Sequence, residues 1–203
     1  MRAGRAVTAG AGRRRSPGVP RADPRRRAAS GASAGPLSGG VRRGGPDGRR
    51  VRVALRAATA DDCRMIWKWR NEETTRGASF DSSEIAYETH EAWFRASLAR
   101  RDRKIFVVVA EAEPCGVVRL DRSGRRAEVS IFLARARHGV GIGPRALRAI
   151  ARVGIREHLD ALTARTKSGN YPSRAAFRSA GFTEAVEEGG VVTMVKPLRL
   201  GRN

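Results

Sequence analysis

The chain reads as an α+β fold with a mixed central sheet of about seven strands and flanking helices. Three observations predict it. Strand-like runs separated by short turns fill residues 105–133, the pattern of an antiparallel meander. A strand, a glycine-rich turn, a helix and another strand then follow in order over 126–166. A last hairpin over 182–197 adds two more strands.

Each element has a local reason. Residues 51–56 largely alternate apolar and basic side chains, the period of a half-buried strand. Thr59 precedes Asp61 and Asp62, acids suited to a first helical turn, and the helix carries Ile66, Trp67 and Trp69 to about Asn71. A polar loop to Ser83 leads into a helix over 85–100 whose apolar stripe holds Trp93, Phe94 and Leu98. Trp67, Phe94 and Leu98 read as core. Residues 105–110 form a continuous apolar run, Glu113 to Gly116 a turn, and 117–121 the returning strand. The turn at Arg122 to Gly124 opens strand 126–133. Pro144 suits the first position of a helix over 144–158. Residues 161–166 form the next strand, and a short helix over 172–180 stops at Gly181.

Residues 1–50 stand apart. They hold thirteen Arg and no Lys against two acids, a net charge of +11, with five of the nine Pro and eleven of the 23 Gly. Without aromatic residues or an apolar period, they lack the surface to offset the entropy of ordering, and a disordered tail is expected. Three readings of it stand: a non-specific nucleic-acid-binding arm, an Arg- and Ala-rich transit peptide, or a stretch upstream of a start near Val41, Val51 or Val53. The last is preferred, because recognisable structure begins abruptly at Val51.

A single domain is expected over 51–199. The residues from 51 onward hold 28 bases and 18 acids, a net +10 spread through helices and strands. Such a surface draws in an anionic cofactor or nucleotide, and its dispersal argues against nucleic acid as the partner. No apolar run approaches the ~18 residues that span a bilayer, and no secretory h-region is present. Cys63 and Cys115 make no disulfide framework, which fits a reduced, cytoplasmic chain, and no metal is expected.

The chemistry gathers around strand 126–133. His138, Gly139, Val140, Gly141, Ile142 and Gly143 turn that strand into a helix. Glycines at such a turn let several N–H groups converge on one anion, and the helix dipole adds roughly half a positive charge. A purely steric role for the glycines is the plain alternative. Glu128 and Ser130 share one strand face, which Phe132 continues.

The order strand, glycine turn, helix, strand, then Asn170 and Ser173 ahead of Gly181 and Phe182, resembles the GNAT superfamily of acetyl-CoA-dependent N-acetyltransferases. The resemblance covers about residues 52–197. The family pattern Arg/Gln-x-x-Gly-x-Gly/Ala falls on 138–143, with His138 in the Arg/Gln position. A finer resemblance is to the sugar-nucleotide branch that includes the acetyltransferase of pseudaminic acid biosynthesis. It rests on Trp67, Trp69, Arg70 and Asn71, on Ser79 and Phe80, on His90, Trp93 and Phe94, on Gly116 through Asp121, and on Glu128 through Ile131. Related branches acetylate protein N-termini or other small amines.

The resemblance implies a GNAT fold in which parallel strands 126–133 and 161–167 splay apart and the cofactor's pantetheine arm lies between them. Backbone groups of Ile131, Phe132 and Leu133 would bond the arm, one N–H polarising the thioester carbonyl. The pyrophosphate would rest on the N–H groups of 139–143, aided by His138. Asn170 would reach the cofactor and Ser173 would cap the helix. Glu128 is the first-choice base, directly or through water, with Ser130 beside it; a plain surface acid paired with Arg125 or Arg126 is the alternative. His90 is the second candidate base, against a helix-packing role. The family's thiolate-protonating Tyr corresponds to Phe177 on the cofactor side, which leaves water or Tyr171 to supply a proton. Trp69, Arg70, Asn71, Trp93, Arg119 and Asp121 would line the acceptor pocket, against a buried Arg–Asp pair closing the core. The implied reaction moves acetyl from acetyl-CoA to a primary amine of a small molecule, a UDP-amino sugar, in a ternary complex. Protein N-terminal acetylation and non-enzymatic nucleic-acid binding through the tail are the alternatives. Monomer and homodimer both remain open, and no membrane partner is expected.

Overall fold

The period-two runs pair into one mixed seven-stranded sheet, and the helical stripes cover both of its faces. A computed structural model describes residues 51–198, so the tail expected over 1–50 and residue 199 lie outside the described residues. The strands are β1 (Val53–Ala57), β2 (Arg103–Ala110), β3 (Glu113–Ser123), β4 (Arg126–Leu133), β5 (Ala161–Lys167), β6 (Thr183–Glu188) and β7 (Val191–Pro197). The helices are α1 (Cys63–Asn71), α2 (Glu73–Ala78), α3 (Tyr87–Leu98), α4 (Ile142–Arg156) and α5 (Tyr171–Ser179). The sheet order is β1-β2-β3-β4-β5-β7-β6. Every neighbouring pair is antiparallel except β4 and β5, joined in parallel through the crossover helix α4.

Two apolar layers flank the sheet. On one face, Ile142, Ala146, Leu147, Ile150 and Ala151 of α4 pack with Phe177 and Phe182 on Val118, Val129, Leu162 and Met194. The i, i+4, i+5, i+8 spacing of the α4 residues is what makes that stripe. On the other face, Cys63 and Ile66 of α1 and Phe94 of α3 cover Ile105, Val107 and Val117. Asp62 fixes the entry to α1. Its buried carboxylate accepts from Arg56 Nη1 and Nη2, each at 2.7 Å, and from the Thr59 N–H at 2.8 Å. The Arg56 guanidinium holds its pKa below the usual carboxylate value.

Three local expectations are corrected. The polar stretch after Asn71 contains α2, held by side chains beyond itself: Glu72 Oε2 accepts the Arg135 N–H at 2.8 Å, and Lys167 Nζ donates to the Gly77 carbonyl at 3.0 Å. The β2–β3 turn sits at Glu111 and Ala112, both with positive φ, and residues 113–116 already belong to β3. Pro114 is tolerated there because the ladder shifts register between Val108 and Val109, opposite it. Helix α4 begins two residues early, at Ile142, so Pro144 is its third residue, where the N–H is still unneeded.

Gly116 sets how closely β3 meets β4 beside the later parting of β4 and β5. A Cβ there would stand 2.5 Å from the Phe132 carbonyl oxygen and 2.5 Å from Leu133 Cδ2. Gly116→Ala is therefore expected to lower stability by about 2 kcal/mol, read from the denaturation midpoint at constant slope. An unchanged midpoint would show that the two strands yield at no cost.

Candidate active site

Strand alternation builds the floor of a cleft on the α1–α3 side. Arg103 faces Asp121, Asp121 faces Glu128, and Arg119 faces Ser130 across β2, β3 and β4. Asp121 stands between two guanidiniums: Arg103 Nε donates to Oδ1 at 2.5 Å, and Arg119 Nε lies 2.7 Å from Oδ2. Trp93 of α3 lies across both, its ring centre 5.8 Å from the Arg103 guanidinium and 5.9 Å from that of Arg119. These side chains are partly exposed, Arg119 by 30% and Trp93 by 39%, so the Arg–Asp cluster borders solvent.

Glu128 is not paired with Arg125 or Arg126. Arg125 instead holds Asp160, at 2.7 Å. The Glu128 carboxylate meets Arg165 of β5 at 3.3 Å, across the last paired position of the two parallel strands. Arg165 also carries Phe80 over its guanidinium at 5.7 Å.

The wall comes from the helices. His90 is buried, stacked on Phe94 at 5.8 Å and tilted to Trp93 at 5.5 Å. Burial lowers its pKa, and the nearby Arg70 charge adds to that. A closed-off imidazole of this kind sits in helix packing and has no open path to an amine. Arg70 donates Nη2 to the Asp81 carbonyl at 2.9 Å. Asn71 is committed to the backbone: it donates to the Ile85 carbonyl at 2.8 Å and accepts the Ile85 N–H at 2.9 Å. Trp69 packs against the apolar layer under α1. Asn71 and Trp69 therefore shape the wall, whereas Trp93 faces the cleft.

The second half of the site is a gap. β4 and β5 pair only at Arg126–Ala161, Ala127–Leu162 and Glu128–Thr163, while β5 stays paired with β7 along its whole length. From Val129 to Leu133 the β4 edge facing β5 has no ladder partner among the described residues. At its end, His138 Nε2 donates to the Leu133 carbonyl at 2.9 Å, so the imidazole turns back on the strand. Beyond it, Gly139 and Gly141 take φ of 77° and 76°, and a Cβ at either would meet nothing within 4 Å. The N–H groups of 139–143 give no hydrogen bond among the described residues and stand at the start of α4. That is an open, donor-lined concavity of anion size. The Ile142 side chain is buried in the core, so only its backbone faces the turn, while Val140 is exposed.

Helix α5 closes the gap's far end. Asn170 Oδ1 accepts the Ser173 N–H at 3.1 Å, so Asn170 is the cap and Ser173 the capped residue, reversing the expectation. The reason is position: α5 starts at Tyr171, which makes Ser173 its third residue. Phe177 is buried edge-on to Phe182 at 5.0 Å, and its ring lies in the core rather than in the gap. Tyr171 is 71% exposed.

Arg103 and Arg165 border the cleft and were not singled out from the sequence, whereas Phe80, one of the residues that carry the finer resemblance, lies over Arg165. The period of β5 puts Thr163, Arg165 and Lys167 on one face, a signal that was present. The register that brings Arg165 to Glu128 was not.

Comparison with known proteins agrees with this geometry. The family described as "Acetyltransferase (GNAT) domain" matches residues 52–183. No curated protein matches the chain. Among solved structures, spermidine N-acetyltransferase from Vibrio cholerae, in complex with CoA and spermine, is 19% identical with a TM-score of 0.65, covering 72% of this chain and 95% of its own. An aminoglycoside acetyltransferase in complex with coenzyme A is 17% identical with a TM-score of 0.64, covering 72% and 95%. A putative phosphinothricin N-acetyltransferase is 22% identical with a TM-score of 0.62, covering 73% and 99%. At these identities the likeness establishes the fold.

The cap assignment has a direct check. Asn170→Ala should lower stability by about 1 kcal/mol, whereas Ser173→Ala, which keeps the N–H, should stay within about 0.5 kcal/mol of the parent. Equal losses in thermal unfolding would return the cap to Ser173.

Proposed function

The chain belongs to the acetyltransferase (GNAT) domain family, and from that premise we propose that it moves acetyl from acetyl-CoA to a primary amine of a small molecule, a nucleotide-linked amino sugar. The observation that carries the reading is the parting of β4 and β5 directly above a donor-lined turn. An extended pantetheine arm fits an unpaired strand edge as an added strand does, and a pyrophosphate fits free N–H groups at a helix start. The solved relatives named above, two of them bound to CoA, support the cosubstrate; they act, by their names, on aminoglycosides and spermidine.

Acetyl-CoA supplies the thioester. The amine nitrogen bonds to the carbonyl carbon, the C–S bond breaks, and the thiolate leaves while the nitrogen loses a proton. Backbone N–H groups of Ile131, Phe132 or Leu133 stabilise the charge on the carbonyl oxygen. Glu128 takes the amine proton, directly or through a water near Ser130, because it is the partly exposed carboxylate at the mouth of the gap. Its Arg165 partner positions it. With Phe177 in the core, the thiolate is protonated by solvent or by Tyr171. Holding amine and thioester in line lowers the barrier further, by on the order of 7–11 kcal/mol where reactants are well oriented.

The nucleotide-linked amino sugar is the finer part of the proposal. Trp93 stacked over two guanidiniums suits a flat base or a sugar face, and the surrounding arginines suit a diphosphate. Turnover of acetyl-CoA by the full chain, measured against UDP-amino sugars, free amino sugars and N-terminal peptides, tests it; turnover on peptides alone would move the acceptor to protein N-termini. With a good acceptor, Glu128→Gln should lower kcat by about 100-fold and leave the KM for acetyl-CoA within about threefold. An unchanged kcat would remove Glu128 from proton transfer.

A further inference from the structure

Five buried side-chain polar atoms lack a hydrogen-bond partner among the described residues, and besides Arg119 Nε, which lies 2.7 Å from the Asp121 carboxylate, they are Arg70 Nη1, Thr75 Oγ1, Arg76 Nε and His90 Nε2. These four come from α1, α2 and α3; the arginine and threonine groups can donate a hydrogen bond, and His90 Nε2 donates when its imidazole carries the proton there. Buried donors without partners are uncommon, and here four stand on adjoining helices. The Arg76 charge reaches Arg70. Burial lowers the Arg70 pKa most, partly offset by Asp81, and Arg76 lowers it further. Water would satisfy the donors but leave the two like charges unbalanced. An anion satisfies both.

At the opposite end of the cleft Asp121 and Glu128 face each other across β3 and β4, each paired with arginine, and their carboxylate oxygens can accept from an amine N–H. A continuous run of contacts links the two ends: Asp121 to Arg119, Arg119 to Trp93, and Trp93 to His90, whose pKa in turn feels the Arg70 charge.

We propose that the amine acceptor also carries an anionic oxygen group, a phosphate or a carboxylate, which Arg70, Arg76, the Thr75 hydroxyl and His90 bind while the amine lies toward Glu128 and Asp121. The proposal rests on the acetyl-transfer reading above, and it gives His90 a binding role in place of the base role. The four groups are closed from solvent, so the anion reaches them when α2 shifts. Thr75 is the one buried residue of α2, so the shift disturbs little apolar packing, and what it must loosen are the tethers of Glu72 to Arg135 and of Gly77 to Lys167. A polycationic amine has no favourable place at this end.

The test measures binding of three amino sugars to the full chain by calorimetry, with CoA saturating so that the glycine turn is filled. Glucosamine is the neutral arm, muramic acid the carboxylate arm and glucosamine 1-phosphate the phosphate arm. At least one anionic sugar should bind about tenfold or more tightly than glucosamine, and which one does so identifies the group. Arg76→Gln should bring that ratio close to one, and Arg70→Gln, the second variant, should move it the same way. The Arg-rich segment 1–50 is common to parent and variants, so it cannot produce the change. Equal affinity of neutral and anionic sugars, no measurable binding of either anion, or an anion preference that survives both variants would overturn the proposal. Thiol release with acetyl-CoA is followed separately: equal affinities with turnover sink the anion site alone, whereas anion preference without acetyl transfer to any amine sinks the transfer reading alone.

Discussion

Three residue pairs govern this molecule. β4 and β5 hold together only where Arg126, Ala127 and Glu128 meet Ala161, Leu162 and Thr163. Past that point each strand stays with its outer neighbour, β3 for one and β7 for the other. A strand edge in the middle of a sheet then has backbone groups with no ladder partner, each of which costs about 1–3 kcal/mol when buried and unsatisfied. Such an edge persists because the layers around it are over-determined. The α4 stripe packs against both strands from one face, and Gly116 lets β3 approach β4 to a distance that no side chain would permit. That unpaired edge is where the proposed reading seats the pantetheine arm.

What surrounds the gap follows from it. The crossover that makes β4 and β5 parallel also brings the glycine turn and the start of α4 to the end of the gap, where free N–H groups and the helix dipole favour an anion. On the other face, α2 bridges the two lips, bonded to Arg135 after β4 and to Lys167 at the end of β5. In the proposed reading, cofactor and acceptor approach this opening from opposite faces. The ion pairs on the acceptor face are partly exposed and add little stability singly. Their value lies in placing Asp121, Glu128 and the arginines at set positions.

Much of the fold was legible in the sequence, because strand and helix periods are local signals. The seven strands, the crossover helix and the glycine turn all follow from such patterns. What failed was also local in origin. Residues 72–83 are polar and lack an apolar stripe, so α2 left no periodic trace; bonds to Arg135 and Lys167, far along the chain, hold it. The β2–β3 turn carries Glu111 and Ala112 at positive φ without a glycine to announce it, and the Pro and Gly two and four residues later drew the turn toward themselves. For the site, the face shared by Arg119, Asp121, Glu128 and Ser130 could be read from alternation. Register could not, so Arg103 and Arg165 went unnoticed although each is paired with one of those carboxylates. The hydrogen bonds of Asn71 to Ile85 depend on how a connection folds back, which composition does not encode.

The most direct test is amide hydrogen exchange on the full chain with and without CoA. In residues 129–133 the alternate N–H groups that face β5 have no ladder bond, and the N–H groups of 139–143 give none, so these are the donors that a pantetheine arm and a pyrophosphate would engage and protect. Slowed exchange in both segments on adding CoA is the expected result. Unchanged exchange there, or protection confined to other segments, would contradict a cofactor seated between β4 and β5.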